Sequence, residues 1–363
     1  MRKFFRFVII ILNLIVAAAL ILACLCSFIN PKTIWWIGFF GLAYMYLLAL
    51  NICFLFIWIF SRKKKTLLIS LIPILIGWTF VGRNIQLFEK KMPEDIQGES
   101  FKVISFNVHG FSQRNTEQSD GKMLNMFDFF RETDADIICM QEFAVNLWKQ
   151  EDLKEENVRK QLGKTPYYHV NSGVAIFSKY PIIRKELVYS DGSNNICMCS
   201  DLLIGSDTVR VYNVHLKSVG LHEDGIELLS NVAKEEYGLS DLRAIKYIIV
   251  QMRASSISRA KQVDILSQHI EKSPYPVIIC GDFNDPPISY SYNKVRGKRK
   301  DAFVEAGSGI SATYHIGHIA SLRIDNILHS DVFKAYNYES PRVHLSDHFP
   351  VMCNFYLDIR NYP

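Results

Sequence analysis

The chain has 363 residues, 49% of them apolar, and its 41 Lys and Arg against 36 Asp and Glu give a formal net charge of +5. Two basic clusters in an apolar amino-terminal stretch account for much of that excess, so the remainder is roughly neutral and carries no nucleic-acid-binding signature by charge. Eight cysteines without a C-x-x-C pair, five of them after the apolar stretch, suggest neither a complete disulfide framework nor a zinc site, and buried free thiols are expected.

Up to Phe88 the chain is almost entirely apolar, with three runs, Phe7 to Ile29, Ile34 to Phe60 and Thr66 to Val81. The first two exceed the ~20 residues needed to cross a hydrocarbon core and the third is near the lower limit, so three transmembrane helices are expected. The first run is too long for the core of a cleaved signal peptide, and two more follow it. Lys and Arg stay on the cytoplasmic side, which puts both Arg2/Lys3/Arg6 and Arg62 to Lys65 there. Three spans then carry the rest of the chain to the opposite face of a cytoplasmic (inner) membrane, making an integral, multi-pass protein with an extracytoplasmic domain. Trp35, Trp36, Trp58 and Trp78 lie near span ends, where such rings favour the interface. None of the spans carries Asp or Glu, which leaves a proton relay or transporter without residues to work with. The expected organisation is a membrane region over 1–88, a linker over 89–99 and a catalytic domain over 100–363.

From Ser100 onward, short β-branched runs alternate with helical or loop segments. Strands are predicted at Phe101 to Asn107, Asp136 to Glu142, Gly173 to Ser178, Ile196 to Ile204, Thr208 to His215, Val277 to Gly281, Ile324 to His329 and Val351 to Leu357. Helices are predicted at Met123 to Arg131 and Ile257 to Ile270. The pattern fits one layered α/β domain. The polar stretch from Lys217 to Ser258 is a candidate substrate loop containing a helix or lid.

Several of these strands end in a polar residue that a strand interior would not choose: Asn107, Glu142, His215 and Asp282, with Asp325 inside an apolar run and Asp347-His348 before the last strand. Alone, each reads as a turn residue, a solvated cap or a satisfied core histidine. If they converge, they form a cleft of carboxylates, amides and two imidazoles, a set that suits a hard cation such as Mg²⁺ or Mn²⁺.

Ser105-Phe106-Asn107, Gln141-Glu142, Gly281-Asp282-Phe283-Asn284 and Ser346-Asp347-His348, in that order and with Ser172 to Pro181 between them, resemble the endonuclease/exonuclease/phosphatase superfamily. The likeness is to its deoxyribonuclease-like and sphingomyelinase-like branches in a membrane-anchored bacterial form, and it runs from Phe101 to Leu357. It implies a two-sheet α/β sandwich with the active site at one edge. It also implies a metal site of Glu142, Asn107 and Asp347 for Mg²⁺, with Mn²⁺ or Ca²⁺ as substitutes. Asp282 and Asn284 would position the attacking water and the phosphate. His348 would contact the phosphate, oriented and charged by Asp325, and His215 would protonate the leaving oxygen.

The expected function is divalent-metal-dependent hydrolysis of a phosphomonoester or phosphodiester, with lipid headgroups favoured because anchored enzyme and substrate share a surface. The competing readings are an anchored nuclease on extracellular nucleic acid and an inactive binding or signalling module. The basic run Lys294, Arg296, Lys298, Arg299 and Lys300 either grips phosphates or is a solvated loop. Arg259 and Gln262 either touch substrate or lie on an exposed helix face. His109, His169, His315 and His318 are read as ordinary. Oligomeric state stays open.

Overall fold

A computed structural model describes the chain except residues 1, 62, 95–97, 114, 118–122, 144–152, 193–194, 221–238, 317–319 and 358–363. At the amino terminus, α1 (Arg2–Leu25), α2 (Tyr44–Ile59) and α3 (Leu68–Val81) pack together around Leu20, Ala23, Tyr44, Leu48 and Ile74. Large apolar side chains such as Phe4, Phe5, Leu12, Phe56 and Leu75 point outward from them. A helix apolar all round requires an apolar surrounding, and two helical stretches here are long and apolar enough to cross a membrane. A third qualifies if Trp35–Leu42 and Tyr44–Ile59 count as one span, and these two are bent by 60° at Ala43. The sequence suggests a straight run there. Gly41 comes so close to Cys26 that an added Cβ would lie 2.5 Å from its sulfur, so the bend is packed against the end of α1. Asn13 pairs polar groups inside the bundle, donating to Ser70 Oγ (2.8 Å) and accepting from Trp58 Nε1 (2.7 Å).

The long strands follow in chain order as β1 (Ser100–Asn107), β2 (Ile137–Gln141), β3 (Tyr167–Asn171), β4 (Val174–Ser178), β5 (Ile182–Ser190) and β6 (Ile196–Ile204). They continue as β7 (Asp207–His215), β8 (Val277–Asp282), β9 (Lys300–Asp301), β10 (Asp325–His329), β11 (Phe333–Glu339) and β12 (Val351–Leu357). One six-stranded sheet has the order β11-β12-β1-β2-β4-β3 and the other β9-β10-β8-β7-β6-β5. Both are mixed, because β1–β2 and β7–β8 are parallel and the other pairs antiparallel. Outside the first sheet lie α4 (Met126–Thr133) and α5 (Glu155–Leu162), and outside the second α6 (Leu239–Glu271) and α7 (Tyr290–Arg296). All eight predicted strands are present to within a residue or two. The edge strands β3, β5, β9 and β11 were not expected; β9 has two residues, and the others mix polar and apolar residues that are only partly buried. The second predicted helix is longer than expected, so α6 takes in the carboxyl-terminal part of the supposed substrate loop, while 221–238 fall outside the described residues.

Strand alternation sorts the side chains. Phe101 and Val103 of β1 and Ile137 and Cys139 of β2 face Val209 and Val211 of β7 and Ile278 and Cys280 of β8 in the core between the sheets. By the same period of two, Asn107, His215, Asp282 and Asp325 point between the sheets at one end of their strands. A polar layer lies beneath them. Asn213 donates to Met140 O (2.9 Å) and Ala175 O (2.8 Å), and accepts from Gln141 Nε2 (2.6 Å), which also reaches Ser105 Oγ (3.1 Å). These bonds tie the two sheets together one residue pair below the cleft.

Gly281 turns β8 into the cleft with φ +146°, and a Cβ there would lie 1.9 Å from Val214 O. Gly281→Ala is expected to cost about 2 kcal/mol or more, through both strain and a displaced β7–β8 pairing. Thermal unfolding of the detergent-solubilised protein should show a midpoint lowered by several degrees; an unchanged midpoint would contradict the close approach.

Candidate active site

The register places the ionisable groups side by side. His215 stands opposite Asp282, and Asp282 opposite Asp325, while Asn107 pairs with Gln141, the residue before Glu142. Glu142 leaves β2 with φ +52°, a left-handed conformation that costs a non-glycine residue roughly 1–3 kcal/mol and that here aims its carboxylate at the second sheet.

Asn107 joins the sheets at the cleft. Its Nδ2 donates to Glu142 Oε1 (3.1 Å) and Asp282 Oδ2 (3.2 Å), and its Oδ1 accepts from His109 N–H (3.1 Å). In this arrangement Asn107 orients the Glu142 carboxylate and does not turn an oxygen toward it. Asp282 also accepts from the backbone N–H (2.8 Å) and Nδ2 (3.1 Å) of Asn284, whose amide reaches Leu216 O as well (3.1 Å). Burial raises the Asp282 carboxyl above the usual carboxylate range. The charges of His348 and His215 and the Asn284 N–H pull it down, and Asp325 pushes it up. His215 Nε2 lies 3.6 Å from Glu142 Oε1 and 3.8 Å from Asp282 Oδ2, so two carboxylates neighbour it in the cleft.

His348 is held on three sides. Its Nδ1 meets Asp325 Oδ2 at 2.9 Å, its Nε2 lies 3.8 Å from Asp282 Oδ2, and its backbone N–H donates to Ser346 Oγ (3.2 Å). Burial alone would lower its pKa, but Asp325 and then Asp282 raise it to about 10. Its charged form therefore dominates at neutral pH, with Nε2–H directed into the cleft. Asp325 is positioned by the backbone, since the Ile324 and Asp325 N–H groups both donate to Thr313 Oγ1 (3.0 and 3.1 Å). Asp347 is partly exposed, accepts from Ser346 Oγ (3.1 Å) and lies 3.3 Å from His109 Nδ1.

The fit to a metal rests on charge. Among the described residues no Lys or Arg pairs with Glu142, Asp282, Asp325 or Asp347; their ionic neighbours are imidazoles. Four carboxylates so placed favour a bound cation, and oxygen donors suit a hard one. Asp282, Asp325 and His348 themselves bring ligand atoms within 4.8 Å of one another. His348 Nδ1 is engaged by Asp325, however, which suits that group to holding a proton, whereas Glu142 and Asp347 are more open.

Tyr314 is a site residue that sequence reasoning missed. Its ring lies 4.8 Å from that of His348, and burial, then Asp347, Asp282 and Glu142, push its hydroxyl up to about 12. Its only sequence signal is its place directly after Thr313. His109, read as ordinary, also borders the site through Asp347 and Asn107. Arg259 and Gln262 are buried and serve structure: Arg259 holds Asp285 (3.2 Å) and Lys217 O (2.8 Å), and Gln262 accepts from Lys217 N–H (2.9 Å). His169 is a core histidine bonded to Ser200 Oγ (2.9 Å), with burial pushing its pKa down to about 4. His315 is exposed and bonded to Ser321 Oγ, and His318 lies outside the described residues.

Residues 104–348 match the model of the Endonuclease/Exonuclease/phosphatase family, and residues 2–84 match a domain of unknown function, DUF8431. The uncharacterized protein YbhP of Escherichia coli strain K12 is 25% identical over 278 residues, covering 73% of this chain and 100% of that protein. Among solved structures, humanized D. rerio TDP2 is similar at 14% identity and TM-score 0.49, covering 70% of this chain and 98% of that one. An endonuclease/exonuclease/phosphatase family protein from Bacteroides thetaiotaomicron is similar at 18% identity and TM-score 0.47, covering 72% and 100%.

Asp325→Asn should leave the fold intact, lower the pKa of His348 and reduce kcat/KM for a phosphoester by roughly 10²–10⁴. The alkaline limb of the pH–rate profile, set by loss of the His348 proton, should move to lower pH. A variant with an unshifted alkaline limb would remove His348 from that role.

Proposed function

The chain belongs to the endonuclease/exonuclease/phosphatase family, whose members are metal-dependent phosphoesterases, and on that premise we propose that it hydrolyses phosphate esters of lipid headgroups at an extracytoplasmic membrane surface. The observation that carries this reading is where the catalytic loop goes. Asp282 to Asp285 run directly into Pro286-Pro287-Ile288, and Ile288 is buried among the residues of the apolar bundle. Its carbonyl accepts from Ser27 Oγ and from Cys26 Sγ (3.2 Å), and Pro287 O accepts from Arg83 (2.8 Å). Lys32 pairs with Asp264 (2.8 Å) and Asn30 bonds Tyr290 (3.1 Å) beside it. The cleft is thus seated on the bundle and not hung from a long tether. These contacts are at the end of the bundle away from Lys63 to Lys65 and the amino terminus, which under the charge rule supports an active site outside the cytoplasm.

In this reading Glu142 and Asp347 hold Mg²⁺, with Mn²⁺ or Ca²⁺ as substitutes, while Asn107 keeps Glu142 in place. The ion, when bound, neutralises charge building on a phosphate oxygen. Asp282, braced by Asn284, accepts the proton of the attacking water. His348 donates a charged hydrogen bond to the phosphate, and His215 gives its proton to the leaving oxygen. Every group in this sequence of steps is present, which weighs against an inactive module.

The full-length protein in detergent should hydrolyse bis(p-nitrophenyl) phosphate only with a divalent cation, and Asp282→Ala or His348→Ala should each reduce kcat/KM by roughly 10³ or more. A panel of lipid headgroup esters and single-stranded nucleic acids should show the higher kcat/KM on the lipids. Absence of metal-dependent turnover on the whole panel would end the catalytic proposal, and preference for nucleic acid would end the lipid one. A reporter fused after Pro363 should be active only outside the cytoplasm; activity confined to the cytoplasm would reverse the topology.

A further inference from the structure

The basic run, whose first two members Lys294 and Arg296 lie in the last turn of α7, does not lie in the catalytic cleft. Together with the end of α3 it encloses a cavity of about 540 Å³ at the junction of bundle and catalytic domain, lined by Thr79, Arg83, Arg296, Lys298, Arg299 and Lys300. Two carboxylates share the lining: Asp301 is engaged through both oxygens and Glu305 through Oε1, with its Oε2 3.4 Å from His329 Nε2. Both Asp301 oxygens accept from Nη2 of the buried Arg323 (2.6 Å each) and Oδ2 also accepts from the Tyr292 hydroxyl (2.5 Å), while Glu305 pairs with Lys90 (2.7 Å).

Of the five cations, Arg299 and Lys300 are matched by Glu271 (2.9 Å) and Asp331 (2.5 Å). Arg83, Arg296 and Lys298 form no ion pair among the described residues. Nε of Arg296 is buried and has no hydrogen-bond partner among the described residues. Arg83 is fixed by Pro287 O and by the rings of Phe80 and Tyr292 at 4.7 and 5.4 Å, so it cannot turn away from its like-charged neighbours. Burial holds its pKa below the ordinary value, and the charges of Arg296 and Arg323 add to that. Net positive charge and a fixed guanidinium at Arg83 together describe an anion site. Arg guanidinium groups are best suited to phosphate, which accepts paired N–H donors.

Position narrows the ligand. Thr79 and Arg83 stand on either side of Val81, the last residue of the final apolar helix. The cavity therefore lies at the depth where a bilayer's hydrocarbon ends and its phosphates begin. We propose that this junction cavity binds a phosphate group, supplied by the headgroup of an acidic phospholipid. The inference rests on the apolar helices spanning a membrane and is independent of catalysis. A bound headgroup there would bridge α3 to the turn that follows α7, behind the loop carrying Asp282 and Asn284.

The test uses full-length protein, delipidated in a non-ionic detergent, with EDTA present so that no ligand is hydrolysed. Short-chain phosphatidylglycerol, short-chain phosphatidylcholine and inorganic phosphate are titrated by calorimetry into the natural chain and into R296Q/K298Q, R296K/K298R and H348A variants. Phosphatidylglycerol should bind, phosphatidylcholine should bind at least roughly tenfold more weakly, and R296Q/K298Q should weaken phosphatidylglycerol by roughly tenfold or more. H348A should bind like the natural chain, and R296K/K298R, which keeps the charge, should bind more tightly than R296Q/K298Q. R296Q/K298Q should still hydrolyse a soluble phosphodiester at the unaltered rate when metal is restored, which shows that it is folded. Inorganic phosphate binding as tightly as the lipid, with the same loss in R296Q/K298Q, would support the phosphate site and overturn the lipid as its source. Equal binding by the natural chain and R296Q/K298Q, or loss only in H348A, would overturn the site.

Discussion

Asp282 is the residue on which the cleft depends. A carboxylate buried at the end of a central strand is costly unless donors and positive charge surround it. Here they come from both sheets: Asn107 from the first, Asn284 from its own loop, and His215 and His348 at slightly longer range. Gly281 makes the approach possible, because only a residue without Cβ fits against Val214 O. The left-handed turn at Glu142, the Asp325–His348 pair and the inter-sheet bonds of Asn213 are all consequences of bringing two sheets together around that one charge.

The same loop binds the molecule's two parts into one. After Asp285 the chain places Ile288 in the bundle, and Arg323, fully buried, reaches from Asp301 to the carbonyl of Arg83 (2.8 Å). Residues 85–86 then pair with 309–310, so the segment after the last apolar helix already belongs to the β structure. Lys90 and Met92, in the stretch expected to be a linker, are likewise held by Glu305 and Asn337. Such contacts transmit position better than a flexible tether does, because each polar end is matched and the apolar residue between them is enclosed.

Strand ends were legible because alternation in the sequence is the same alternation that decides which side chains face the core. Asn107, His215 and Asp282 each break an apolar run at the position where the inter-sheet face opens, and the family resemblance supplied the rest. Tyr314 and His109 were not legible. Neither interrupts a pattern, and what puts them at the site is a hairpin folding over His348 in one case and a tight turn beside Asn107 in the other. Arg259 and Gln262 misled for the opposite reason: polar residues on a helix read as surface or substrate contacts, yet α6 presses them onto the loops after β7 and β8.

By itself the sequence determined the two materials of this protein, an apolar helical region and a mixed α/β domain, along with the ordered polar strand ends that identify the family. Hydrophobic periodicity and charge are local properties and need no contacts to be read. Tertiary structure alone decided that the loop after β8 rests on the bundle, that the basic run faces the end of α3 and not the cleft, and that Asn107 braces Glu142. Those are long-range matters. They depend on which donors and charges meet once both sheets and the bundle have packed, and no spacing along the chain records that.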